Sequence, residues 1–121
     1  IAQSWYEASP DKRTPEEAAK DALRYMKAVQ RAKENLEGVT VRYEDLTADP
    51  KRETQRICEF LGIPWEEGML DYGTDHEFTK GLGDWKDKIR SGTVQAGREL
   101  PSPDEIPEIL RPMCVTWGYL T

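Results

Sequence analysis

The chain has 121 residues, 33% of them charged, and a formal net charge of −6. That length allows one domain at most, and the acidic balance excludes a general nucleic-acid binder, which needs a basic face. A site for an anionic nucleotide would have to be a local basic pocket, and no apolar run approaches the length of a membrane span.

Thr14-Pro15-Glu16-Glu17 reads as a capping box with proline at the first helical position, where its missing N–H costs nothing. It predicts a long amphipathic helix. Ala19, Ala22, Leu23, Met26, Val29 and Leu36 mark the buried stripe, and Lys20, Arg24, Lys27, Arg31 and Lys33 form a basic outer face. Gly38 is expected to end this helix. Val39, Val41 and Tyr43 then alternate with Thr40 and Arg42, a period of two that predicts a strand over 39–43 with one face buried.

Asp49-Pro50 predicts the next helix, with the aspartate as N-cap and the proline at the first turn. Thr54, Ile57, Cys58 and Leu61 give it an apolar face, and Gly62 suits a left-handed stop. The span from Pro64 to Tyr72 holds a short helix broken by Gly68. Residues 73–101 show no sustained period and carry glycines at 81, 83, 92 and 97, a loop long enough to be functional or mobile. Ser102-Pro103-Asp104-Glu105 is a second capping box. It opens a C-terminal helical region with Ile109, Leu110, Met113, Cys114 and Trp117 facing inward, restarted at Pro107 and tolerating Pro112 near its first turn.

One histidine, His76, and two isolated cysteines offer no metal-ligand spacing, so no metal is expected. Cys58 and Cys114 read as buried free thiols of a reducing compartment. With no signal peptide visible, a soluble cytoplasmic protein is expected. One strand alone cannot satisfy its own backbone groups, so the chain reads as an incomplete single domain over 1–121.

Three segments resemble, in order, the nucleotide-dependent sulfotransferases, in particular bacterial relatives of the cytosolic type. Ile1-Ala2-Gln3-Ser4-Trp5-Tyr6 is similar to the segment after that family's R-[DN]-P turn. The run from Tyr43-Glu44-Asp45 to Phe60-Leu61-Gly62 resembles the family's central stretch, and Lys80-Gly81-Leu82-Gly83-Asp84-Trp85-Lys86 resembles its K-G-x-x-G-D-W-K motif, one residue shorter between the glycines. The resemblance implies an α/β fold: the C-terminal part of a P-loop-type three-layer α/β/α architecture, mostly helical within this chain. It places Tyr43 at the end of the strand, where open α/β sheets bind ligands.

The donor implied is 3′-phosphoadenosine 5′-phosphosulfate, and the product 3′,5′-adenosine bisphosphate. Ser4 matches the serine that hydrogen-bonds the 3′-phosphate, its bland alternative being an ordinary helix serine. Tyr43 matches the tyrosine at the adenine pocket, the alternative being a strand-end core residue. Lys80 and Gly81 match the 3′-phosphate loop, charge from the lysine and close amide approach from the glycine, although Thr79 stands where the family often has arginine. Thr74 and Phe78 fall near adenine-contacting positions, Asp84 and Trp85 read as structural, and His76 as an exposed loop residue.

The family's phosphosulfate loop and acceptor-activating histidine have no counterpart, so no catalytic residue is assigned and the isolated chain is expected to be inactive. The reaction implied is sulfuryl transfer to a hydroxyl or amine of a small-molecule acceptor, with no nucleic acid or membrane involved. Lys88, Thr93, Val94 and Glu99 resemble a stretched K-T-V-E dimer segment, leaving open a homodimer or completion by a missing N-terminal half. Two other classes stay open: a non-enzymatic helical interaction module, and a nucleotide-type kinase relative.

Overall fold

The computed structural model describes residues 1–71 and 91–121. Its elements are α1 (Ala2–Ala8), α2 (Pro15–Asn35), α3 (Tyr43–Ala48), α4 (Pro50–Leu61), a 3₁₀ turn at Glu67–Leu70, two further 3₁₀ turns at Pro103–Glu105 and Glu108–Leu110, and α5 (Arg111–Thr116). They divide into two compact units, one of residues 1–37 and 99–121 and the other of residues 38–98.

In the first unit the predicted capping box forms. Thr14 Oγ1 accepts the Glu17 N–H at 3.2 Å and the Glu17 carboxylate accepts the Thr14 N–H at 2.8 Å, which satisfies two donors that the first turn leaves without helical partners. Ala19, Ala22 and Leu110 form the buried core, with Ala2, Trp5, Leu23, Met26, Ile106 and Cys114 packed around it. The alanines let α1 and the C-terminal turns approach the α2 backbone closely. Met26 is the last apolar side chain of the stripe packed on this core. Val29 and Leu36, further along the predicted stripe, are exposed, at 56% and 70%.

Gly38 does not stop α2. The helix ends at Asn35, whose side-chain amide donates to the Arg31 carbonyl at 2.7 Å, and Leu36 turns extended at φ −122°. At the other end of the unit, Glu105 and Ser102 form the second predicted capping box, but only a 3₁₀ turn follows. A second such turn runs from Pro107, and α5 carries Pro112 in its first turn. The prolines interrupt what would have been one helix, and the resulting register buries Leu110 while leaving Ile109 40% exposed. Ile109 therefore does not face inward as its sequence pattern predicted. The Glu105 carboxyl is held below the usual glutamate range by the backbone N–H and then the hydroxyl of Ser102.

In the second unit the expected strand over 39–43 is absent. The described residues contain no sheet, only an isolated antiparallel bridge between Asp71 and Thr93. The structure thus corrects the α/β assignment, with its three-layer P-loop architecture, to a helical one. The period of two survives as burial, Val39 and Val41 being half-buried between exposed neighbours. Without a partner strand the backbone gains no ladder, and from Tyr43 onward it satisfies its own groups as α3. Arg42, still extended at ψ 138°, is the N-cap of that helix.

The α4 boundaries follow the sequence. Asp49 Oδ1 accepts the Arg52 N–H at 3.1 Å, Pro50 begins the helix, and Gly62 closes it at φ 68°, a left-handed conformation that disfavours any side chain with a Cβ. Ile63 N–H returns to the Cys58 carbonyl at 3.0 Å, completing the stop. Cys58 is buried, but Leu61 is 58% exposed. Gly68 lies inside its 3₁₀ turn instead of breaking it. Both Cys58 and Cys114 are free thiols, the first buried and the second half-buried, and burial pushes the Cys114 thiol up, with Arg111 opposing.

Candidate functional site

Of the residues that the sequence singles out, Ser4 and Tyr43 are described. Lys80 and Gly81 lie outside the described residues, as do Thr74, His76, Phe78, Asp84, Trp85 and Lys88. Ser4 belongs to the first unit and Tyr43 to the second.

Ser4 stands on α1, held in place by its neighbours more than by its own contacts. Trp5 and Ala2 pack on the core, Trp5 meets the Tyr25 ring edge-on at 5.5 Å between centroids, and Gln3 donates to Glu7 at 2.9 Å. These fix the helix face on which Ser4 is exposed, with no partner for its hydroxyl among the described residues. An exposed hydroxyl can donate to an anion oxygen without first breaking an internal bond.

Tyr43 opens α3. Its carbonyl accepts from Thr47 Oγ1 at 3.0 Å, a hydroxyl shared with the Glu44 carbonyl at 3.2 Å. The residue is 58% exposed, yet one edge of its ring is covered by chain from far along the sequence. A Cβ added at Gly97 would lie 2.9 Å from Tyr43 Cε1 and 3.3 Å from Thr47 Oγ1. Glycine is what lets the backbone come this close. A partly exposed aromatic ring with one edge covered can offer a stacking surface to a planar base.

Behind α3, α4 is anchored by a residue that the sequence reading passed over. Glu53 is 1% exposed, and both oxygens are used: Arg52 Nε donates to one at 3.1 Å, and Arg56 Nη1 makes a short bond to the other. Arg56 also reaches the Thr40 carbonyl at 3.4 Å, tying the segment before Tyr43 to α4. The signal lies in Lys51-Arg52-Glu53-Thr54-Gln55-Arg56, a carboxylate on the apolar face with one arginine directly before it and another three residues after it. Trp65 closes the other flank, donating its indole N–H to Thr54 at 2.8 Å with Lys51 over its ring at 5.3 Å.

The described residues hold no group of three or more histidine, cysteine, aspartate or glutamate side chains that could hold a metal ion. No described helix is long and apolar enough to cross a membrane.

Comparison with known proteins matches residues 2–67, more than half of the chain, to the model of a sulfotransferase family. The matched span includes Ser4 and Tyr43 and stops short of Lys80 and Gly81. A carbohydrate sulfotransferase 1 from Danio rerio is 40% identical over 55 residues, which cover 46% of this chain and 13% of that protein. The chain thus corresponds to a small part of that relative's length. No solved structure matches.

Proposed function

The chain belongs to the sulfotransferase family, and from that premise we propose that it forms the 3′-phosphate and adenine side of a donor site for 3′-phosphoadenosine 5′-phosphosulfate. The acceptor is a carbohydrate hydroxyl, a reading supported by the name of the Danio rerio relative. The observation that carries the proposal is the family match across residues 2–67, within which both Ser4 and the Tyr43 ring are open to a ligand.

In this reading Ser4 donates its hydroxyl to a 3′-phosphate oxygen, and the Tyr43 ring stacks on adenine. Lys80 supplies positive charge to the same phosphate, and Gly81 lets backbone amides approach it. The acceptor oxygen attacks sulfur in line, the bond from sulfur to the bridging phosphate oxygen breaks, and 3′,5′-adenosine bisphosphate leaves while the acceptor's proton passes to a base. None of these four residues takes that proton. Their part is to hold the donor in position, which is where much of the rate of a group transfer originates.

Calorimetric titration of the chain with 3′,5′-adenosine bisphosphate, with AMP as control, tests the reading. Saturable binding that requires the 3′-phosphate and falls at least tenfold in Lys80→Ala is the expected result. A folded chain that binds neither nucleotide, or binds both equally, overturns it.

A further inference from the structure

The basic outer face of α2 borders a groove of about 320 Å³ lined by Lys20, Leu23, Arg24, Lys27, Arg31 and Ile109. All six belong to the first unit. At about 100° per residue the four cations fall within an arc of about 60°, and at about 1.5 Å rise they extend over about 16 Å of helix. They form a straight row, not a point cluster.

Two of the four are occupied: Lys20 pairs with Glu16 at 3.0 Å and Arg24 with Asp21 at 3.6 Å, both exposed pairs that solvent and competing anions exchange readily. Lys27 and Arg31 have no carboxylate partner among the described residues. Between the cations, Leu23 and the outward Ile109 supply an apolar floor. Such a row is set in a chain of net charge −6, so attraction is confined to ligands already within about 8 Å at physiological salt. The groove suits a ligand with anionic groups at intervals along it and weakly polar surface between them.

We propose that this groove is a subsite for the sulfated stretch of an oligosaccharide, acceptor or product, with sulfate esters on Lys27 and Arg31 and sugar C–H faces on Leu23 and Ile109. The proposal rests on the carbohydrate acceptor of the preceding section. Each transfer to a carbohydrate hydroxyl leaves a sulfate ester behind, so on a polymeric acceptor anionic groups accumulate beside the next reacting hydroxyl. A cationic row distinct from the donor-binding residues retains such a chain between transfers. Sulfate esters are monoanions throughout the accessible pH range, and a guanidinium binds their oxygens in a fork.

The test measures binding of a chemically sulfated maltooligosaccharide to the chain, with the unsulfated parent, a polyglutamate of similar length and a single-stranded oligodeoxynucleotide as comparators. Binding to the sulfated sugar alone is expected, weakened at least tenfold in the double variant Lys27→Gln/Arg31→Gln and unchanged in Lys80→Ala. Both substituted residues are exposed and without a carboxylate partner among the described residues, so circular dichroism should show the fold retained; Ile109→Ser is expected to weaken binding with all charges kept. Equal binding of polyglutamate or oligonucleotide, or full affinity in the double variant, overturns the subsite. Sulfated-sugar binding without bisphosphate binding supports the groove and overturns the donor-site reading, whereas the converse result overturns the groove alone.

Discussion

The two units of this chain are held together by different physics. In residues 1–37 and 99–121, small and apolar side chains meet: Ala19, Ala22 and Leu110 at the centre, with Trp5, Leu23 and Met26 around them. Among the described residues of 38–98, the most deeply buried side chain is a carboxylate, Glu53, held by two half-exposed arginines, with Cys58 also buried on the same helix. Apolar contacts ask only for shape and are indifferent to salt, whereas a buried charge depends on each partner being present. The unit that presents Tyr43 is therefore the one more easily disturbed by a single polar substitution.

The largest expected effect breaks that carboxylate's support. Replacing both Arg52 and Arg56 by alanine strands Glu53 in the interior and should destabilise the second unit by about 3 kcal/mol, read from urea denaturation followed by Trp65 fluorescence. Adding Glu53→Gln should restore part of the loss, since an amide is less costly to bury than an unpaired charge. If the double arginine variant is as stable as the parent, the contrast between the units is wrong.

Next in size, Leu110→Ala should cost the first unit about 2 kcal/mol by leaving a cavity against α2. Thermal melts in low and high salt sharpen the comparison: this loss should be insensitive to salt, whereas the contribution of the exposed arginines to Glu53 should shrink. Thr14→Ala should cost about 1 kcal/mol through the capping box and reduce helicity measured by circular dichroism.

The smallest effect concerns Glu105. Its carboxyl is held low by Ser102, so the contribution of this turn is present above the ordinary glutamate value, about 4.3, and is lost as pH falls through the lowered folded value. Below both values it contributes nothing. Ser102→Ala removes the hydroxyl but keeps the N–H, so carbon-13 titration should find the Glu105 carboxyl moved back part of the way toward its usual range.

Signals that act within a few residues were legible in the sequence. Thr14 with Glu17, Asp49 with Pro50, Ser102 with Glu105, and Gly62 all do what their local chemistry predicts. Readings that needed a distant partner were less secure. Val39, Val41 and Tyr43 had the pattern of a strand, but pairing requires a second strand that the described residues do not supply. Val29 lies on the correct stripe of α2, but no sequence rule marks where the covering elements end. Leu110 is buried as its pattern predicted, but Ile109 is turned outward because two prolines break the helix into 3₁₀ turns. For the proposed site, Ser4 and Tyr43 are named by motif resemblance alone. The approach of Gly97 to Tyr43, some fifty positions away, and the burial of Glu53 were not legible in the sequence, because both are products of tertiary packing.

The indole N–H of Trp117 donates to Gln30 Oε1 at 2.8 Å, across 87 positions of sequence. The first unit is thus assembled from two stretches of chain with the whole of residues 38–98 translated between them. As the chain leaves the ribosome, α2 emerges long before Leu110 and Trp117 exist, and its Leu23 and Met26 wait without their C-terminal cover. Folding of that unit therefore waits for residues 99–121 to be made, and slow elongation through the intervening stretch prolongs the interval in which a chaperone, or another nascent chain, can occupy the same apolar surface.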